Sequence, residues 1–218
     1  HESARFYDAQ YAFKDYEREV RTLSGLVMAE MPEARTWLDV ACGTGKHLSH
    51  LRERYEVQGI DLNPVLLEAA RERLPGVPLH LGDMRDFELG STFDIVSCLF
   101  SAIGSLESVE DLRSAASSFA RHLNSGGLMI VEPWLLPEAY RPGTLHSLNV
   151  DEPDLKLSRM CRSALDGRTA QMDFFFQVGT PKGSSSLWNG IVSPSSLRTS
   201  IWKRSARPVS TSAGSTAD

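Results

Sequence analysis

Residues Leu38 to Gly45, Leu-Asp-Val-Ala-Cys-Gly-Thr-Gly, and a second apolar run ending at Gly59-Ile60-Asp61 constrain this chain more than anything else in it. An apolar strand that enters a turn with glycine at Gly43 and Gly45 brings bare backbone close to whatever lies above it, because glycine has no Cβ to hold a ligand away. An acid at the end of the next strand, Asp61, is placed to accept hydrogen bonds from both hydroxyls of a ribose. The pair implies a parallel sheet with an adenosine-type ligand across the carboxyl ends of its strands.

Two familiar phosphate-binding patterns do not fit. The dinucleotide fingerprint needs a third small residue where the chain has Leu48. A P-loop needs glycine where Val40 stands and a hydroxyl where His47 follows Lys46, so Lys46 reads as a first-turn helix residue. What remains, D-x-x-x-G-x-G from Asp39, resembles the first motif of class I methyltransferases that use S-adenosylmethionine.

The order of the following segments strengthens that resemblance. Leu81 to Asp86 follows a short strand (Pro78 to Leu81), and there Asp83 can accept from an adenine amino group while Met84 offers the ring a soft apolar face. Phe93 to Phe100 is a near-continuous apolar run, the pattern of a strand covered on both faces. A helix is expected to end at the Gly126-Gly127 pair, with Leu128 to Val131 as a fifth strand.

D-V-A-C-G-T-G, H-L-G-D-M-R-D-F (His80 to Phe87), F-S-A-I-G (Phe100 to Gly104) and V-E-P-W (Val131 to Trp134) together resemble the N-methyltransferases that dimethylate TDP-bound amino sugars in macrolide biosynthesis. The similarity runs from about Tyr7 to about Val178. It implies an α/β fold: a Rossmann-like class I methyltransferase sheet with a small antiparallel substrate-binding layer. It also implies four segments: a helical lid over 1–30, a cofactor-binding core over 31–134, the antiparallel layer over 135–183, and a tail from 184. S-adenosylmethionine is the implied cofactor, held by Asp39, Ala41, Gly43 and Gly45, by Asp61 and Leu62, by Asp83, Met84 and Arg85, and by Phe100. Tyr7 and Tyr16, the latter in the Lys14-Asp15-Tyr16 element, are the aromatic residues expected beside the sulfonium, whose charge suits aromatic faces. The family tends to carry His or Tyr after F-S-x-I-G, facing the substrate; here that position is Ser105. Ser105, Trp134, Arg159 and Arg162 are the expected substrate contacts, the arginines as partners for a diphosphate.

A sulfonium methyl is already electrophilic, so an amine acceptor needs alignment and the loss of a proton more than a strong base. Glu132 and His122 are the candidates for that proton, although His122, at a helix end, has the position of a solvated cap residue. Two alternatives stay open: methylation of an oxygen or another small molecule on the same fold, and an inactive product lacking its last strands.

Composition narrows the classes. With 218 residues and 41% hydrophobic content the chain can bury one core with a small appendage. A net charge of −5 argues against a nucleic-acid partner. Cys42, Cys98 and Cys161 are odd in number and without C-x-x-C spacing, so they read as buried small hydrophobes of a cytoplasmic protein, with no metal site. No run approaches the roughly 20 apolar residues of a membrane span, and neither a signal peptide nor a membrane partner is expected. A nucleotide sugar is the expected partner, with a homodimer as a further possibility.

Strand-like runs at Leu145 to Val150, Lys156 to Ala164 and Thr169 to Val178, with a turn at Asp166-Gly167, form the antiparallel layer. Ser184 to Asp218 differs: its 35 residues include 11 serines, four basic residues and one acid. It is expected to lack ordered structure, or to arise from a shifted reading frame beginning near Gly183 that replaces the last strands of the sheet.

Overall fold

A computed structural model describes residues 2–135, 139–166 and 169–193. Two helices open the chain, α1 (Glu2–Gln10) and α2 (Tyr16–Glu30). The side chain of Asp15 accepts from Arg18 N at 2.9 Å and caps α2, whose first turn carries Glu17 and Glu19 at the positive end of the helix dipole.

Strands and helices then alternate: β1 (Thr36–Val40), α3 (Lys46–Leu51), β2 (Glu56–Asp61), α4 (Pro64–Arg73), β3 (Leu79–Leu81) and β4 (Phe93–Cys98). A 3-10 turn (Ala102–Ser105), α5 (Val109–Arg121) and β5 (Leu123–Val131) follow. The five strands form one parallel sheet in the order β3-β2-β1-β4-β5. β1 and β4 lie at its centre with helices over both faces, which is why both read as apolar runs. Trp37, Leu48, Leu51, Leu67 and Ile95 fill the core on one side, and Leu38, Ile60, Phe93, Val96 and Phe119 fill it on the other. Among the described residues the parallel sheet ends at β5.

The glycine pair does not end the helix. α5 stops at Arg121, and β5 runs from Leu123 through Gly126 and Gly127. The register slips there, from Phe93 opposite Leu123 to Ile95 opposite Leu128. Gly126 takes φ of 82°, and a Cβ at Gly127 would lie 2.9 Å from Asp94 O, so the bulge needs glycine twice.

The second sheet is antiparallel, β6 (Leu145–Glu152), β7 (Leu155–Asp166), β8 (Thr169–Thr180) and β9 (Gly183–Ser193) in sequence order. Leu155, Leu157 and Val178 on its inner face meet Phe6 and Ala9 of α1, whose Asp8 in turn reaches Thr44 of the glycine turn and Arg73 of α4. The fourth strand corrects the expectation that order ends at Ser184: β9 pairs with β8 from Gly183 opposite Thr180 to Ser193 opposite Ala170. A serine-rich strand lacks the apolar alternation that marks a strand in sequence, and here backbone pairing along β8 supplies the order. Gly167, Arg168 and residues 194–218 of the expected turn and tail lie outside the described residues.

Candidate active site

The carboxyl ends of β1, β2 and β4 converge on the turn after β1. Ala41, Gly43 and Gly45 all have positive φ (59°, 57° and 75°), and a Cβ on Gly45 would stand 2.6 Å from Leu74 Cδ1. Asp61, 9% exposed, holds the turn: Oδ2 accepts from Gly43 N at 2.7 Å and Oδ1 from Asn63 N at 2.8 Å. Each carboxylate oxygen keeps an acceptor position, so Asp61 can still receive two hydroxyls.

A cavity of about 440 Å³ opens beside it, walled by Val40, Ala41, Ile60 and Leu62, floored by Gly82 to Arg85, and closed by Ala102, Ser105 and Leu106. Its size suits a nucleoside-sized ligand. Asp83 is gripped by Arg85, whose Nη2 lies 2.6 Å from Oδ2, and Arg85 Nη1 reaches Asp111 of α5 at 3.1 Å. Those hydrogen bonds from Arg85 hold the Asp83 carboxyl below its ordinary range. An acceptor at Asp83, apolar walls and a second acid at the end of β2 fit an adenosine cofactor.

Around Phe100 lies the other half of the site. Phe100 and Ser101 both adopt left-handed backbone (φ of 52° and 57°). The turn is pinned from β5: Glu132 Oε2 accepts from Phe100 N at 2.7 Å, and Ser101 Oγ donates to Pro133 O at 3.0 Å. Tyr11 meets the Phe100 ring edge-on at 4.8 Å and Tyr7 at 4.9 Å. The Lys14 ammonium sits 4.4 Å from the Phe100 centroid and 5.2 Å from that of Tyr16, ion-paired with Glu19, which also bonds His47 Nε2 at 2.9 Å. Burial pushes the phenols of Tyr7 and Tyr16 up, Tyr16 to about 12, so both remain neutral. Tyr11 and Lys14 join two expected residues, Tyr7 and Tyr16, in this cluster. Nothing in spacing set Tyr11 apart from the other aromatic residues of the first segment, because its partner, Phe100, is distant in sequence.

Several expected contacts are placed elsewhere. His122 is 1% exposed, with its ring 4.3 Å from that of Phe87. Leu89 N donates to its Nε2 at 3.1 Å and its Nδ1 donates to Ser118 O at 2.7 Å, so both nitrogens are engaged and His122 is neither a solvated cap nor a base. Arg159 and Arg162 lie on opposite faces of β7, as odd spacing requires. Arg159 faces α1, with its guanidinium 5.8 Å from the Tyr11 ring, while Arg162 is exposed on the outer face opposite Asp173. Trp134 is half-buried just past β5. Ser105 lines the cavity and donates to Ala102 O at 2.9 Å.

The comparison with known proteins settles which cofactor chemistry this is. Residues 38–127 match the family model described as "Methyltransferase domain". The dTDP-4-amino-2,3,4,6-tetradeoxy-D-glucose N,N-dimethyltransferase of Saccharopolyspora spinosa is 38% identical over 183 residues, covering 83% of this chain and 74% of that protein. The dTDP-3-amino-3,4,6-trideoxy-alpha-D-glucopyranose N,N-dimethyltransferase of Streptomyces venezuelae is 41% identical over 169 residues, 77% of this chain and 71% of that one. The chain belongs to the sugar N,N-dimethyltransferase family. The methyltransferase superimposes on Streptomyces venezuelae DesVI with a TM-score of 0.84 at 36% identity, covering 93% of this chain and 89% of that one. With CalS10 of Micromonospora echinaspora, an amino pentose methyltransferase solved with S-adenosylmethionine bound, the score is 0.81 at 36% identity over 91% and 85% of the chains. S-adenosylmethionine is accordingly the cofactor of this methyltransferase. Among its described residues no helix is long and apolar enough to cross a membrane, and no group of His, Cys, Asp and Glu is disposed to hold a metal.

Proposed function

We propose that the protein transfers a methyl group from S-adenosylmethionine to the amino group of a TDP-linked deoxyamino sugar, and repeats the transfer to give a dimethylamine. The observation that carries this reading is the extent of the likeness. An alignment of 183 residues passes well beyond the cofactor domain at 38–127 into the small sheet and its neighbours, where an acceptor contacts such a protein.

The cofactor supplies an electrophilic methyl on a positively charged sulfur. Asp61 takes the ribose hydroxyls and Asp83 the adenine amino group, with Met84, Leu62 and Ala41 packed on the base and sugar. Tyr7, Tyr11, Tyr16 and Phe100 would give the sulfonium an aromatic surround. The acceptor nitrogen enters between the 3-10 turn at Ser105 and the inner face of the small sheet, with Arg159 towards its diphosphate. The nitrogen lone pair forms the new bond to carbon as the carbon–sulfur bond breaks, and the nitrogen then releases a proton. Glu132 acts through the Phe100 turn that it holds, and its carboxylate is the proposed acceptor of that proton.

The test is mass spectrometry of TDP-linked 3-amino and 4-amino deoxysugars incubated with the protein and S-adenosylmethionine. One methyl mass and then two should appear on one of them. Cofactor binding with no mass gain on any amino sugar would refute the acceptor while leaving the cofactor in place.

A further inference from the structure

Beneath the glycine turn, three residues of the parallel sheet form a hydrogen-bond chain that the binding of ribose and base does not use. Trp37 and Asp39 are two apart on β1 and so point to the same face, and Ser97 of β4 stands opposite Asp39 in the parallel register. Trp37 Nε1 donates to Ser97 Oγ at 2.8 Å, and Ser97 Oγ donates to Asp39 Oδ1 at 2.6 Å. All three are interior: Trp37 and Ser97 are 0% exposed and Asp39 is 2% exposed. An indole N–H can only donate, so the direction of the chain is fixed: indole to hydroxyl to carboxylate.

We propose that Trp37 and Ser97 are positioning residues for the cofactor, orienting the Asp39 carboxylate beneath the Gly43–Gly45 turn so that its remaining oxygen receives the α-ammonium of S-adenosylmethionine. The proposal rests on the cofactor reading proposed above and on Asp39 meeting that cofactor from beneath Val40 and Ala41, the next two residues of the chain, which line the cavity. A buried carboxylate that meets an ammonium must be ionised, and burial alone resists that. Burial pushes Asp39 up to about 6; the Ser97 hydrogen bond and His47 pull against it, and Asp61 adds to it. The charged or titratable groups that face Asp39 are thus His47 from α3, Asp61 from β2 and Cys42 from the turn itself. A donor aimed at the carboxylate, strengthened by a second donor behind it, favours the charged form. Ligand affinity is then full above the titration of Asp39 and lost as pH falls through it, and removal of the donor moves that loss to higher pH.

The measurement is calorimetric binding of S-adenosylhomocysteine between pH 5.5 and 8. This probe keeps the α-ammonium, which does not titrate in that range, and lacks the sulfonium. For the wild type, affinity should be flat above about pH 7 and fall below about pH 6. For a titration moved up by one pH unit, Ser97→Ala should bind like wild type at pH 8 and about threefold more weakly at pH 6.5. Ser97→Thr, which keeps the hydroxyl on a strand-compatible side chain, should restore the wild-type curve. Ser97→Ala strands the Trp37 N–H, so the Trp37→Phe/Ser97→Ala pair, which removes donor and acceptor together, provides a second route should the single variant unfold. Curves that superimpose, or affinity reduced equally at every pH, would overturn the proposal. Absence of wild-type binding at pH 8 would instead overturn the cofactor assignment beneath it.

Discussion

Asp61 has two tasks that a substitution can separate. Its carboxylate accepts from Gly43 N and Asn63 N within the protein, and it lines the cavity proposed to take the ribose hydroxyls. Asp61→Ala should weaken S-adenosylmethionine binding by about 2 kcal/mol or more, since hydrogen bonds to charged groups are worth roughly 1.5–3 kcal/mol each; calorimetry reads this directly. Affinity within twofold of wild type would remove Asp61 from the site. Asp94, at the amino ends of β1 and β4 and so at the other end of the strands from the cavity, is expected to make the protein acid-sensitive. Burial opposes its ionisation, yet the N–H groups of Arg35 and Thr36, the Asn124 amide and the Thr36 hydroxyl overcome this and bring it down to about 2. A lowered carboxyl contributes stability above its unfolded value near 4 and loses it as pH falls from about 4 to about 2. Urea midpoints over that window should drop less steeply in Asp94→Asn than in the wild type. At this scale motifs were legible and partners were not: Asp39, Asp61 and Asp83 stand out by spacing, whereas Tyr11 gains its place only through contact with Phe100.

At the scale of elements, α1 is latched to the glycine turn by Asp8, which accepts from Thr44 Oγ1 at 2.6 Å and from Arg73 Nη2 at 2.5 Å. Asp8→Ala should release α1, seen as faster hydrogen exchange at residues 4–10 together with weaker cofactor binding, while exchange in β1 and β4 stays unchanged. The two faces of β7 make a second contrast. Arg159→Ala, on the face toward Tyr11 and Gln10, should lower kcat/KM for the nucleotide sugar about tenfold, a loss of roughly 1.4 kcal/mol in transition-state stabilisation. Arg162→Ala, on the exposed face, should stay within twofold. Equal losses in the two variants would mean that the sheet face does not sort them. Helices and central strands were legible because burial writes a period into the sequence, as at Tyr16–Glu30 and Phe93–Cys98. β9 was not, since its serine-rich sequence carries no such pattern.

For the molecule as a whole, two sheets share one helix. α1 touches α4 through Arg73 and Asp8, and it touches the small sheet through Phe6, Ala9 and the ion pairs of Arg5 with Glu152 and Asp154. A ligand seated under α1 should therefore stabilise both sheets together. With S-adenosylhomocysteine at 100 times its dissociation constant the gain is about 2.7 kcal/mol, which for a chain of this length raises Tm by roughly 5–10 °C. A shift confined to one of two separate transitions would show that the sheets unfold independently.

The spacing from Asp39 to Asp61, the acid at Asp83 and the apolar runs of β1 and β4 determined the sheet and the cofactor class, because each is a local demand on backbone shape or burial. Proximity across the chain was decided only by the tertiary structure. Folding placed His122 against Phe87 rather than in the cleft, brought Tyr11 and Lys14 to Phe100, and lined up Trp37, Ser97 and Asp39 across two strands. Contacts between residues tens of positions apart depend on register and packing, which no local spacing encodes.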